Sequence, residues 1–180
     1  QLNMLQLKNK IKQAGEEVHG QGNSYDDTNE RAALRKFLQV NKPFQDFWKV
    51  YFGTPANSYL MEDPLGEYSV DLGIVDINHE FIIHGLIEVD VFESWGENFP
   101  AHYKKFHVLK RKLKYFQDTD HKYITCTFNK MHNQMCCTTR ENIERCLEIY
   151  GITNLWMPKI QEYDKVVRCP LDENIFWFGI

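Results

Sequence analysis

The sequence predicts an α/β fold, a small mixed central β-sheet flanked by helices. Three observations carry that reading. Residues 68–76 and 81–92 alternate in polarity with a period of two, the mark of strands with two unlike faces. Apolar residues recur at helical spacing on both sides of that pair. A further β-type run at 122–128 follows one of the helical segments, so a strand–helix–strand crossover would lay it parallel in the same sheet. With 180 residues, 43% of them hydrophobic and 14% aromatic, the chain can bury one sizeable core. Length favours a single domain, with N-terminal helices over 1–52, a core over 53–130 and a C-terminal helix and strands over 131–180.

The elements follow in order. Residues 2–17 form a Lys- and Gln-rich amphipathic helix, and 17–25, polar and interrupted by Gly20 and Gly22, read as a loop. Asp26, Asp27, Thr28 and Asn29 offer N-caps for a helix over 28–39. A helix over 43–52 and strands over 68–76 and 81–92 come next. Residues 101–116 read as a helix beginning just after Pro100, because Phe106, Leu109, Leu113 and Phe116 fall at i, i+3, i+7 and i+10. A strand over 122–128 precedes a helix over 138–149, which Thr138 or Thr139 can cap and Gly151 can stop. Strands over 153–158, 166–168 and 175–180 complete the chain.

The two long strands carry the chemistry. Val70, Leu72 and Ile74 alternate with Ser69, Asp71 and Gly73, and Ile83, Ile87, Val89 and Val91 alternate with His84, Leu86, Glu88 and Asp90. If Asn78 and His79 form a two-residue hairpin turn, with Asn in the positive-φ conformation of the primed turns, facing residue numbers sum to 157. Asp71 then lies opposite Leu86, and Ser69 opposite Glu88. Asp71, Glu88 and Asp90 share one face, the first two as diagonal neighbours within ~7–8 Å. A slip of one residue would send Asp71 to the other face. Three carboxylates this close repel one another and call for a cation. Mg²⁺ suits them, since it binds through one or two carboxylates together with substrate phosphate oxygens and water; Mn²⁺ is compatible with the same donors. Solvated acids on an open sheet face are the alternative reading.

Behind the strands, residues 101–117 hold six cations and no acid: Lys104, Lys105, Lys110, Arg111, Lys112 and Lys114. The net charge is −4, and without these six it becomes −10. One sign segregated on an otherwise acidic protein is how phosphate-binding surfaces are built, although a charge run is also an ordinary solvated face. Trp95 lies in the loop after the second strand, placed either to stack on a base at the rim of the site or to pack that loop onto the sheet.

Asp71, then a strand bearing Glu88-Val89-Asp90, followed by a helix, resembles the catalytic core of the PD-(D/E)XK nuclease superfamily over roughly residues 26–130. The resemblance implies a restriction-endonuclease-like fold and metal-dependent endonuclease activity on DNA, with RNA compatible with the same chemistry. It implies that Asp71 and Glu88 hold Mg²⁺. The family's usual Lys falls at Asp90, an acid that joins the catalytic and metal candidates. Some members place an acid there, and some supply the Lys from the following helix. Lys110 or Lys105 would then orient water or neutralise the scissile phosphate. Glu30 matches the N-terminal helix Glu that approaches the metal in the family; a first-turn Glu complementing the helix dipole is the other reading. A nuclease fold that has lost catalysis and binds nucleic acid or a protein is the alternative function. An interaction protein indifferent to nucleic acid is the third. Either a monomer or a homodimer fits.

No apolar run approaches the about 20 residues of a membrane span, and residues 2–18 lack the apolar core of a secretory signal. Five cysteines (Cys126, Cys136, Cys137, Cys146 and Cys169) without a C-x-x-C pair read as reduced, buried thiols of a cytoplasmic protein. His132 with Cys136 and Cys137 makes an incomplete zinc set.

Overall fold

A computed structural model describes residues 29–55, 57–64, 70–115, 120–158 and 160–179. The helix read over 2–17, its following loop, the caps at 26–28 and Ser69 lie outside these residues, as do the side chains of Glu30 and Phe116. The described chain opens with helices α1 (Asn29–Val40) and α2 (Lys42–Phe52). Asn41 caps α2 by accepting the Phe44 N–H at 3.0 Å, Pro43 sits in its first turn, and Gly53 ends it in the left-handed conformation at φ 61°. Leu34 and Leu38 of α1 and Phe44, Trp48 and Phe52 of α2 are buried at i, i+4 spacing. This is the face that docks on the sheet.

That sheet has six strands: β1 (Ser58–Glu62), β2 (Leu72–Asp76), β3 (His79–Phe92), β5 (Lys122–Asn129), β6 (Gln134–Thr139) and β9 (Phe176–Gly179), in spatial order β1-β2-β3-β5-β6-β9. β3 and β5 run parallel, as the crossover predicts, and the other neighbours are antiparallel. The mixed sheet of the sequence reading is therefore present, flanked by helices. β1 and β6 were not expected. β6 is hidden by composition, since its Met135-Cys136-Cys137 run carries a weak β signal, and it is entered through a turn with His132 at φ 57°. The Asn129 side chain holds that turn by accepting the N–H groups of Asn133 and Gln134.

The largest correction concerns residues 101–116. No helix forms there. The segment is a strand, β4 (Lys105–Leu109), followed by a short 3-10 helix over Lys110–Tyr115. Phe106 and Val108 are buried, so the local period is two, and aromatic, imidazole and β-branched side chains at 106–108 disfavour a helix. β4 joins β7 (Thr153–Met157) and β8 (Glu162–Pro170) in a second, three-stranded antiparallel sheet of order β4-β8-β7. α3 (Arg140–Tyr150), capped by the Thr139 side chain and ended at Gly151, connects β6 to β7.

Two cores result, one on each face of the main sheet. Leu72, Ile74, Ile87, Val89, Ile124 and Cys126 pack against α1 and α2. Leu86, Tyr123 and Cys136 face the other way, toward Phe106, Val108, Leu113, Ile143 and Val167. Gly85 is required by the first contact, because a methyl there would collide with the Phe52 ring. Among the described residues no helix is long and apolar enough to cross a membrane.

Candidate active site at the Asp71 end of the main sheet

The β2–β3 hairpin differs in detail from the expected one. Its turn residues are Ile77 and Asn78, one place earlier, and Asp76 fixes them by accepting the Asn78 N–H at 2.9 Å. Irregularities beside Val75 then slip the pairing, so that Leu72 faces Ile87 and Gly73 faces Leu86, a sum of 159. The difference from 157 is two residues, and an even slip keeps Leu72, Ile74, Ile87 and Val89 together on one face, whereas Val70 and Ile83, expected with them, lie in the opposite core. Because Ile87 and Val89 point to the helices, Glu88 and Asp90 point to the opposite core, in register with Thr125 and Thr127 of β5.

Asp71 stands just before β2. Its Oδ2 accepts the Val89 N–H at 2.8 Å, which sets the carboxylate against the peptide joining Glu88 to Val89. Its Oδ1 lies 3.8 Å from Arg35 of α1, and Arg35 Nε donates to Glu62 at 3.0 Å. On the other side Lys112, from the 3-10 helix, contacts both remaining acids, Asp90 Oδ2 at 2.5 Å and Glu88 Oε1 at 3.4 Å. Lys112 and Glu88 are buried, their side chains 9% and 5% exposed, whereas Asp90 reaches solvent at 36%. Asp71, Glu88, Asp90 and Lys112 thus occupy one end of the sheet. The three acids are not gathered as a triad: among the described residues no three His, Cys, Asp or Glu side chains form a metal-binding group. Lys112 stands between Glu88 and Asp90, and Asp71 answers to Arg35.

One or two carboxylates are the usual protein share for Mg²⁺, and Asp71 and Glu88 are the two that the sequence reading offers for it.

Other sequence candidates fall elsewhere. Trp95 is fully buried, packed edge-to-face on Phe99 and Trp177 at 5.1 and 5.8 Å, so it packs its loop and cannot meet a base. Lys104, Lys110, Arg111 and Lys114 are exposed, while Lys105 is half-buried with its ammonium over the Tyr150 ring. Neither Lys110 nor Lys105 takes the strand-lysine role. Lys112, expected among the surface cations, reaches the acids instead. Arg35 and Glu62 were missed altogether; Arg35 adjoins the buried Leu34, an odd place for a cation without a buried acid to meet. Glu30 lies in the first turn of α1.

The five cysteines are all buried and free of disulfides. Cys136 and Cys137 point into opposite cores, so they cannot converge with His132 on one zinc ion. Burial pushes the Cys126 thiol well up, which makes it inert. On β4, burial first, then Arg168 and Lys105, lower His107 to about 4. The unfolded chain, with a His near 6.5, binds the extra proton first, so stability is full above about pH 6.5 and falls as pH drops from there through about 4. Denaturant midpoints across that range should decline for the native chain and flatten in His107→Gln; equal slopes would assign the acid loss elsewhere.

No family model matches the chain, and comparison with curated proteins and with solved structures gave no match either.

Proposed function

We propose that this protein is a metal-dependent endonuclease that hydrolyses phosphodiester bonds in DNA, with a restriction-endonuclease-like arrangement of its core. The observation that carries the reading is Lys112, a buried ammonium held between Glu88 and Asp90, while Asp71 accepts the N–H of Val89, which lies between those two acids in the chain. A lysine supplied from the segment after the Glu strand is what the PD-(D/E)XK resemblance calls for once Asp90 fills the strand position. Asp71 and Glu88 would hold Mg²⁺ or Mn²⁺, which supplies a water of lowered pKa and stabilises charge on the phosphate. The protein's own groups do the rest. Val89 N–H and Arg35 fix the Asp71 carboxylate before any substrate arrives, so no reorganisation is needed when charge develops. Lys112 keeps a positive charge beside the acids, and Asp90, the most exposed of the three, holds that ammonium in place.

A second reading, a nuclease fold that binds without cutting, is favoured by one observation: Arg35 and Lys112 already pair with the acids. The test is a screen of supercoiled, linear, branched and single-stranded DNA with Mg²⁺ and Mn²⁺, beside calorimetric titration of each ion. Cleavage that requires the metal and stops with EDTA is expected. Binding of DNA with no cutting of any substrate by either ion would select the second reading.

A further inference from the structure

The β7–β8 hairpin carries an aromatic pair that neither core uses. Trp156 and Tyr163 face each other across the two strands, ring centroids 5.1 Å apart and inclined at 67°. They are 44% and 68% exposed, whereas Val167 and Cys169, farther along β8 on the same alternating face, are 0% exposed. The face that packs into the body at one end of β8 therefore continues past it, and presents two rings to solvent at the other. Ile160, in the turn between the strands, is exposed as well.

The charge on the rings' own face comes from one lysine. Lys165 is exposed and shares the face of Tyr163, while the acidic Glu162 alternates onto the opposite one. Asp164, also on that opposite face, is bound at 3.4 Å by Arg111 of the 3-10 helix. Arg111 is the neighbour of Lys112, so the hairpin is tied to the element that places an ammonium among the Glu88 and Asp90 carboxylates. An edge-to-face pair leaves ring faces turned away from each other, and flanking cations track a phosphate backbone.

We propose that this hairpin is the arm that grips a single-stranded stretch of the nucleic acid, its bases stacking on Trp156 and Tyr163 and its phosphates meeting Lys165. The proposal rests on the nuclease reading for its substrate, and it assigns to this pair the stacking that the buried Trp95 cannot perform. Two rings with a lysine on the same face match a polyanion with flat bases better than an apolar protein surface.

The test is fluorescence anisotropy with a labelled oligothymidylate of about 15 nucleotides, and with a duplex of equal length, in EDTA so that metal-dependent cutting is off. Trp156→Ala and Tyr163→Ala should each weaken single-strand binding about tenfold while leaving the slope of log K against log salt unchanged. Lys165→Ala should instead reduce that slope by about 0.7. Trp156→Phe with Tyr163→Phe, which keeps the ring faces, should bind within about threefold of the native chain, separating stacking from damage to the hairpin. Unchanged affinity in the double Ala variant, equal losses on single strand and duplex, or no oligonucleotide binding at all would each overturn the arm. Cutting is scored separately on the native protein with metal. A protein that cuts normally without needing the pair refutes the arm alone, and one that binds through the pair yet cuts nothing refutes the hydrolase alone.

Discussion

Lys112→Met should cost the fold about 3–5 kcal/mol, because it removes the cation from a buried ion pair and leaves the acid behind. Methionine reproduces the length and apolar stem of lysine, so the volume change is small and the loss is electrostatic. The penalty falls mainly on Glu88, whose side chain is 5% exposed, since Asp90 at 36% recovers part of its hydration from solvent. For a domain of this size such a loss is a large fraction of the usual 5–15 kcal/mol of stability. Adding Glu88→Gln to Lys112→Met should return much of it, because an uncharged amide costs far less to bury than an orphaned carboxylate. Urea unfolding of the two single variants and the double, treated as a double-mutant cycle, measures the coupling directly. A loss in Lys112→Met below about 1 kcal/mol would mean that the pair is open to water and screened like a surface bridge.

How far the sequence revealed this arrangement depends on what kind of signal each residue sent. The long strands were legible because β3 buries Ile87 and Val89 on one side and Leu86 on the other, an alternation no helix would keep. The face assignment holds for Leu72, Ile74, Ile87 and Val89 although turn and register were misread, since the slip there was of two residues, but Val70 and Ile83 lie in the other core. The parallel β3–β5 pair is present as expected, although β4 and the 3-10 helix, not the expected helix, lie in the crossover. The basic segment failed for a physical reason: Phe106, Leu109 and Leu113 satisfy a helical template as well as Phe106 and Val108 satisfy a strand. What decided was a partner 60 residues later, β8, which pairs Phe106 with Cys169 and Val108 with Val167. Tertiary pairing overrode local spacing there. The same long-range pairing hid Lys112, whose place between two acids exists only once the 3-10 helix is set against the sheet. Arg35 and Glu62, 27 positions apart, meet for a similar reason, since only the docking of α1 on the β1 side of the sheet brings them to 3.0 Å.

Glu88→Gln should reduce metal-dependent cleavage by about 10²–10³-fold or more, while changing stability by only about 1 kcal/mol. The two effects separate because they draw on different contacts. The amide keeps the shape of the side chain, and Lys112 retains its shorter bond to Asp90 at 2.5 Å, so no buried cation is orphaned. Under the proposed function, what the amide loses is one of two anionic donors to a divalent ion, and each 1.36 kcal/mol of lost transition-state stabilisation is a factor of ten in rate. Lys112→Met would confuse folding with chemistry; Glu88→Gln does not, which makes it the sharper probe of the site. Single-turnover cleavage with Mg²⁺ and with Mn²⁺, alongside calorimetric ion titration of both proteins, reads the two terms apart. Loss of rate together with weakened ion binding places the metal on Glu88. Undiminished cutting by Glu88→Gln would instead mean that the Glu88 carboxylate serves Lys112 alone, and that any hydrolysis is organised elsewhere on the chain.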